Sequence, residues 1–140
     1  MYKDLKELLK YSHTIKILLV EDNSEVKSQL IKLLKNFFTD IDSCDNGIEA
    51  LQKYINYEKI YGNFYDLIIT DISIPGLNGI ELSKKLLQCN PKQAILVTSA
   101  YIEKFNEFEN IGVYEFLEKP IDYEKMVKTF TSIIKRLKQS

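Results

Sequence analysis

The chain has 140 residues, carries a net charge of −1, and is 45% hydrophobic and 28% charged. This size and composition are typical of one globular domain, and the even balance of acids and bases disfavours direct contact with nucleic acid, which needs a basic surface. No apolar run reaches the roughly 20 residues that span a bilayer, so we expect no membrane contact. The two cysteines lack the spacing of a metal site and are expected to be reduced thiols, which favours a cytoplasmic location.

Residues 1–13 are expected to form an N-terminal arm or short helix ahead of a domain at residues 14–138. Leu5, Leu8 and Leu9 recur at helical spacing among charged residues, which predicts an amphipathic helix over Tyr2–Tyr11. A stripe of this kind more often packs on its own domain or frays than binds a partner.

Short apolar runs alternate with amphipathic segments along the rest of the chain. The runs are typical of strands buried on both faces of a parallel sheet, and they cover Ile15–Val20, Ile41–Cys44, Phe64–Thr70, Ala94–Thr98 and Val113–Leu117. Helical spacing predicts a helix after each strand, and the fourth, over Ile102–Asn110, has few apolar anchors. The polar segment Asn56–Asn63 either prolongs the second of these helices or forms a loop.

This alternation predicts an α/β fold, a doubly wound five-stranded parallel sheet with helices on both faces. Connections between parallel strands are right-handed almost without exception. Ligands of such sheets bind beyond the carboxyl ends of the strands, where the strand order reverses. The residues that follow the strands are therefore the candidate functional residues.

Acidic, hydroxyl and basic side chains occupy those positions. Glu21 and Asp22 follow the first strand, Asp71 the third, Ser99 the fourth and Lys119 the fifth. Clustered carboxylates raise each other's pKa, and a hard divalent cation relieves that repulsion. The lack of a dedicated cage favours Mg²⁺, with Asp22 and Asp71 as direct ligands and Glu21 acting directly or through water.

The same side chains suit a phosphoryl group. Asp71 can act as a nucleophile that forms an acyl phosphate, Ser99 can donate a hydrogen bond to a phosphoryl oxygen, and Lys119 supplies a compact positive charge. Phe116 lies three residues before Lys119, so alternation along the strand places it on the opposite face. Taken singly, each residue fits an ordinary cap, turn, core or surface position, so the prediction depends on their convergence.

Five fragments, in order and at matching spacing, resemble the receiver domain of bacterial response regulators, and the resemblance covers about residues 14–138. Each fragment is weak alone, but the set is highly specific. The fragments are ILLVEDN with Glu21-Asp22, DNGIEAL at Asp45–Leu51, DLIITDISIPGLNGIEL with Asp71, AILVTSA with Ser99-Ala100, and FLEKP with Lys119-Pro120.

The resemblance implies a flavodoxin-like strand order of 2-1-3-4-5 and a phosphorylation site at the strand ends. The residues that it implies are Asp71 as phosphoacceptor; Glu21, Asp22, Asp71 and the backbone carbonyl of Ser73 as Mg²⁺ ligands; Ser99 and Phe116 as switch residues; and Lys119, Ser99 and Ala100 as phosphate-binding residues. Ser73 and Tyr101, beside the site, are expected to tune hydrolysis of the acyl phosphate.

The resemblance also implies a signalling domain that is no enzyme apart from catalysing its own phosphorylation and hydrolysing its acyl phosphate. A sensor histidine kinase or phosphotransfer protein donates the phosphoryl group. The face of the fourth predicted helix, the fifth strand and the last helix then changes shape and alters partner binding. The expected partner is a downstream protein or an output domain beyond this chain, and a phosphorylation-dependent homodimer is a further expectation.

Two other functions stay open at this point. An aspartyl-nucleophile phosphatase uses similar residues, but it usually needs a second acid two residues after the nucleophile, where this chain has Ser73. A phosphorylation-independent interaction module needs none of the acidic, hydroxyl and basic set. The N-terminal arm and the long Asn56–Asn63 connection depart from the family pattern.

Overall fold

A computed structural model describes residues 2–138, so Met1, Gln139 and Ser140 lie outside the described residues. Five parallel strands form one sheet in the order β2-β1-β3-β4-β5, which confirms the predicted fold class and strand order. The strands are β1 at Lys16–Val20, β2 at Asp40–Cys44, β3 at Leu67–Asp71, β4 at Ala94–Ser99 and β5 at Glu115–Glu118.

Helices flank the sheet on both faces. Within residues 2–138 they are α1 at Tyr2–Tyr11, α2 at Ser24–Leu34, α3 at Gly47–Tyr61, α4 at Gly79–Cys89, α5 at Phe105–Glu109 and α6 at Tyr123–Lys138. Asparagine side chains cap α2, α3 and α4, each accepting a hydrogen bond from the backbone N–H three residues further on. Over the described residues, no helix is both long enough and apolar enough to cross a membrane.

The alternating side chains of the buried strands build two hydrophobic layers. Ile17 and Leu19 of β1 join the layer that contains residues of α2 and α6, whereas Leu18 and Val20 join the layer that contains residues of α3 and α4. Successive strand residues point to opposite faces, so an uninterrupted apolar strand is stable only when both faces are covered.

The N-terminal helix α1 packs against α6. Leu8 is fully buried in the layer that α2 and α6 share. Lys138 Nζ lies 3.5 Å from the centre of the Tyr11 ring and 3.5 Å from a carboxylate oxygen of Glu7. The chain's own last helix therefore covers part of the apolar stripe, whereas Leu9 stays 48% exposed.

Besides one-residue shifts at strand ends, three segments differ from the sequence prediction, one of them β5, which begins at Glu115 rather than Val113. The predicted fourth helix is only a 3₁₀ turn at Ile102–Lys104 followed by the five-residue α5, because Phe108 is its one fully buried side chain. Strand β3 begins at Leu67 rather than Phe64, since the Phe64 ring instead stacks on Tyr54 at a centroid distance of 4.7 Å.

The uncertain segment Asn56–Asn63 mostly continues α3. The helix runs to Tyr61 and ends at Gly62, whose φ of 80° is left-handed and whose N–H donates to the Glu58 carbonyl. Glycine adopts this conformation without the steric cost that a Cβ brings. The longer connection is therefore an extended, glycine-terminated helix.

Gly47 at the start of α3 lies against the loop that follows β3, and its N–H donates to the Pro75 carbonyl at 3.0 Å. A Cβ on Gly47 would overlap the backbone carbonyl oxygen of Leu77. We expect Gly47→Ala to lower the free energy of unfolding by about 2–3 kcal/mol, because the clash is with backbone. Urea denaturation measures the change.

Gly62→Ala is the matched control, since open space surrounds Gly62 and only its positive φ opposes a side chain. We expect this variant to lose about 1 kcal/mol. Equal losses for the two variants would contradict the close approach at Gly47.

Candidate functional site

The sheet register brings the candidate residues to one edge. Asp71 is the last residue of β3, and Ser99 is the last residue of β4, the neighbouring strand. Glu21 directly follows β1, and Lys119 directly follows β5. The strands are parallel, so their carboxyl ends share this edge, as the sequence predicted.

Glu21, Asp22 and Asp71 form a compact cluster of carboxylates. One oxygen from each lies within 4.8 Å of the others. Glu21 is 1% exposed, Asp71 is half-buried and Asp22 is exposed. Anionic oxygen donors fit a hard divalent cation, and the exposed side of the cluster suits a cation that keeps several waters.

Both carboxylate oxygens of the buried Glu21 have partners. Oε1 accepts a hydrogen bond from Lys119 Nζ at 3.1 Å, and Oε2 accepts one from the backbone N–H of Asn23 at 3.2 Å. The backbone N–H of Glu21 donates to the Cys44 carbonyl at 3.1 Å, which ties it to the end of β2. A buried charge without such partners would be strongly destabilising.

Asp71 is held in the same way. Its Oδ1 accepts a hydrogen bond from the backbone N–H of Ile72 at 2.7 Å, and its Oδ2 accepts one from Lys119 Nζ at 3.1 Å. The side chain therefore faces the charged cluster rather than serving as a helix cap. Helix α4 has its own cap, Asn78.

Lys119 joins the buried Glu21 to the half-buried Asp71. Burial disfavours its charged form, but hydrogen bonds to Glu21 and Asp71 outweigh that cost and raise the pKa of the ammonium group. Lys119 therefore stays positively charged at neutral pH. The Lys119–Pro120 peptide bond is cis.

Ser99 lies beside this cluster and is 3% exposed. Its Oγ accepts a hydrogen bond from the backbone N–H of Tyr101 at 2.9 Å, and its carbonyl accepts one from the backbone N–H of Lys119 at 2.8 Å. As an acceptor in the first bond, the hydroxyl keeps its own proton for another partner. Ala100 and Ser73 are exposed in the neighbouring loops.

Phe116 contacts a different group of residues. Its ring stacks on Phe105 at a centroid distance of 4.4 Å and meets Phe108 edge-on at 6.5 Å. The ring is partly buried in the layer that contains residues of α3 and α4. It therefore links β5 to the short helix α5.

The loop 72–78 after Asp71 is anchored by two glycines whose role the sequence analysis missed. Gly79 N–H donates to the Ile72 carbonyl at 2.8 Å, and a Cβ on Gly79 would lie 2.6 Å from the Asp71 carbonyl oxygen. Gly47 anchors the loop at Pro75. The signal was the repeated Asn-Gly-Ile-Glu at the starts of α3 and α4, where asparagine caps the helix and glycine admits the loop backbone.

Comparisons with known proteins agree with this geometry. A sequence model of the response regulator receiver domain matches residues 17–131. The regulatory protein VanRB of Enterococcus faecalis is 28% identical over 125 residues, which cover 88% of this chain and 54% of that protein. Hybrid signal transduction histidine kinase L of Dictyostelium discoideum is 33% identical over 113 residues, which cover 76% of this chain and 6% of that protein.

The chain thus spans about half, or much less, of the length of these curated relatives. Among solved structures, the chemotaxis protein CheY4 of Vibrio cholerae superposes with a TM-score of 0.73 at 24% identity, covering 85% of this chain and 98% of that one. That likeness shows the fold. The family model spans most of the chain and includes all five strands apart from Lys16, the first residue of β1. This protein therefore belongs to the response regulator receiver domain family of two-component signalling.

Proposed function

We propose that the chain is a phosphoacceptor domain in which Asp71 receives a phosphoryl group from a phosphohistidine donor. Receiver domains work with histidine kinases and generally serve as signalling domains rather than enzymes. One observation carries the proposal: Lys119 Nζ lies 3.1 Å from both Glu21 and Asp71, in a cluster that Asp22 completes. A nucleophile, a fixed cation and further acids thus share one pocket.

The transfer moves one phosphoryl group between two residues. An oxygen of Asp71 bonds to phosphorus while the bond from phosphorus to the donor's histidine nitrogen breaks, and that nitrogen keeps the bonding electron pair. Lys119 holds a positive charge beside the incoming oxygens, and Ser99 with the neighbouring Ala100 backbone binds them. Mg²⁺ held by Glu21, Asp22, Asp71 and the Ser73 carbonyl would supply further positive charge.

Phosphorylation would be read through Ser99 and Phe116. The Ser99 hydroxyl turns from Tyr101 toward the new oxyanions, and a charged hydrogen bond is worth about 1.5–3 kcal/mol. That free energy shifts a two-state equilibrium by roughly tenfold or more. Phe116 then moves into the space that Ser99 vacates, which alters its ring contacts with Phe105 and Phe108 of α5. Because α5 is short and weakly anchored, the face of α5, β5 and α6 changes shape.

The partners follow from this chemistry. We infer a sensor histidine kinase or phosphotransfer protein as donor, and a downstream protein or an output domain as the reader of the switched face. A phosphorylation-dependent homodimer through that face is included in the proposal. Residues 14–138 would form the receiver unit of a cytoplasmic protein, without direct nucleic-acid or membrane contact, and α1 would be an N-terminal addition.

Incubation with acetyl phosphate and Mg²⁺ tests the phosphoacceptor. We expect intact mass to increase by one phosphoryl group, because acetyl phosphate is an activated donor. Asp71→Asn should abolish the increase, and Asp22→Asn should slow it while weakening Mg²⁺ binding. The Asp40→Asn variant, an exposed acid at the other end of the sheet, should behave as the parent chain.

Two results would contradict the proposal in different ways. Sustained multiple turnovers of a small phosphate ester would favour the aspartyl phosphatase. Failure to gain mass with any small-molecule donor, and with a panel of phosphorylated kinases, would favour the phosphorylation-independent module.

Lys119→Met tests the role of the buried cation. We expect the free energy of unfolding in the presence of EDTA to fall by about 1–3 kcal/mol, because Glu21 loses a partner and two close carboxylates lose their counter-charge. Mg²⁺ should restore part of that loss, and chemical denaturation in the two buffers measures both effects.

The matched control is Lys128→Met, which removes a lysine paired with Glu124 on the exposed surface, where both side chains are 67% exposed. We expect a change of about 0.5 kcal/mol or less there, and no response to Mg²⁺. A similar loss of unfolding free energy in both variants would mean that the Lys119 bridge stabilises the fold no more than an exposed ion pair does.

Ser99→Ala tests the switch. We expect this variant to be phosphorylated on Asp71 but to lose the change in amide hydrogen exchange that phosphorylation produces across α5 and β5. Ser83→Ala is the control, since Ser83 is equally buried and its hydroxyl has no hydrogen-bond partner among the described residues. An unchanged exchange response in Ser99→Ala would exclude the hydroxyl as the switch.

A further inference from the structure

A row of neighbouring aromatic rings runs outward from the core to the C-terminal end of α3. Tyr54 is fully buried and its hydroxyl donates to Gln93 at 2.6 Å. Tyr65 lies between Tyr54 and Tyr57, at centroid distances of 6.5 Å and 4.2 Å. Tyr57 in turn contacts Tyr61 at 4.7 Å. The outer rings are therefore held by an anchored inner end.

The outer end of this row is unusually exposed. Ile60 is 72% exposed and Tyr61 is 64% exposed, the two highest values among the large hydrophobic side chains whose burial the structure describes. Isolated exposed apolar residues are ordinary, but adjacent ones on a rigid support are typical of interaction surfaces. Solubility alone would favour polar residues at these positions.

Carboxylates of the sheet edge border the rings. Asp40 and Asp42 lie on the edge strand β2, with side chains that are 61% and 42% exposed. The Tyr65 hydroxyl donates to Asp42 at 2.7 Å, which joins the acids to the aromatic row. We call Asp40, Asp42, Tyr57, Ile60 and Tyr61 together the tyrosine–aspartate face.

An internal lysine already uses part of this face. Lys16 Nζ lies 2.5 Å from Asp40, 3.3 Å from Asp42 and 5.9 Å from the centre of the Tyr57 ring. A cation is thus bound by carboxylates and by the face of an aromatic ring at once. The single positive charge of Lys16 neutralises only one of the two negative charges. Lys16 lies over the ring of Tyr57, and the neighbouring Tyr61 ring remains exposed to solvent.

We propose that the tyrosine–aspartate face docks an arginine-bearing segment of a partner protein. The argument is charge complementarity joined to ring geometry: a guanidinium group pairs with carboxylates and also stacks on tyrosine, which a lysine does less well. Ile60 supplies apolar contact for the neighbouring residues of the segment. The rigid support lowers the entropy lost on binding.

A simpler explanation covers only half of the face. Charged residues on an edge strand prevent pairing with a strand of another molecule, and Asp40 and Asp42 have that effect on β2. It gives no reason for an isoleucine and a tyrosine exposed side by side on α3. The proposal accounts for both halves.

This docking surface is independent of the phosphoacceptor site. Lys16 and Asp40 are the first residues of β1 and β2, whereas Asp71 is the last residue of β3. The two sites therefore lie at opposite ends of the sheet. A failed phosphorylation experiment would leave this proposal unaffected, and the reverse also holds.

NMR titration of the isotope-labelled chain with a hexa-arginine peptide tests the proposal. We expect shift changes centred on Asp40, Tyr57 and Tyr61, and binding that weakens severalfold when salt rises from about 0.05 M to about 0.5 M. Tyr61→Ser should weaken binding about threefold, the contribution of one exposed cation–π contact, and Asp40→Asn about twofold.

Tyr114→Ser and Glu124→Gln are the matched controls, because they remove a tyrosine of 60% exposure and an acid of 67% exposure on other surfaces. Both should leave the affinity unchanged. Any of the following results would overturn the proposal: equal weakening in the controls, shift changes centred on Glu21 and Asp22, or no binding at millimolar peptide. Equally tight binding of spermine would also overturn it, because the face would then recognise charge alone.

Discussion

The structure depends on a charge constraint at the carboxyl ends of its strands. Three carboxylates approach within 4.8 Å at this edge, and Lys119 lies against two of them. Without that cation, a carboxylate that is 1% exposed would lie next to a second acid with little to offset the repulsion. The position of β5 relative to β1 and β3 is thus coupled to the charge state of the pocket.

Backbone contacts, in addition to Lys119, hold the acidic pocket in place. Asp71 and the loop behind it are held by N–H groups of Ile72 and Gly79, and Gly47 anchors the same loop from α3. Such contacts need glycine because α3 and α4 begin directly against other backbone. The pocket is therefore positioned by elements that contribute no charged side chain to it, which is how a rigid fold presents reactive groups at loop ends.

Rigidity is distributed unevenly around the sheet. Helix α5 has five residues and one fully buried side chain, and its contact with β5 runs through the stacked rings of Phe105 and Phe116. The aromatic row of α3 is instead anchored in the core by Tyr54. A loosely held element beside the proposed phosphoacceptor suits switching, whereas a firmly held surface at the opposite end suits docking.

Local patterns in the sequence determined a large part of this protein. Apolar runs and helical spacing are properties of neighbouring residues, so strands, most helices and the residues that end each strand were all predictable. The positions that follow the predicted strands identified the candidate site residues, which are Glu21, Asp22, Asp71, Ser99 and Lys119. The resemblance of the five fragments to the receiver family added the strand order. Only tertiary structure decided that Lys119 bridges Glu21 and Asp71 across 98 and 48 positions of chain, that α5 is so short, and that α3 ends in an exposed isoleucine and tyrosine. Those features depend on packing between distant segments, which local spacing does not encode.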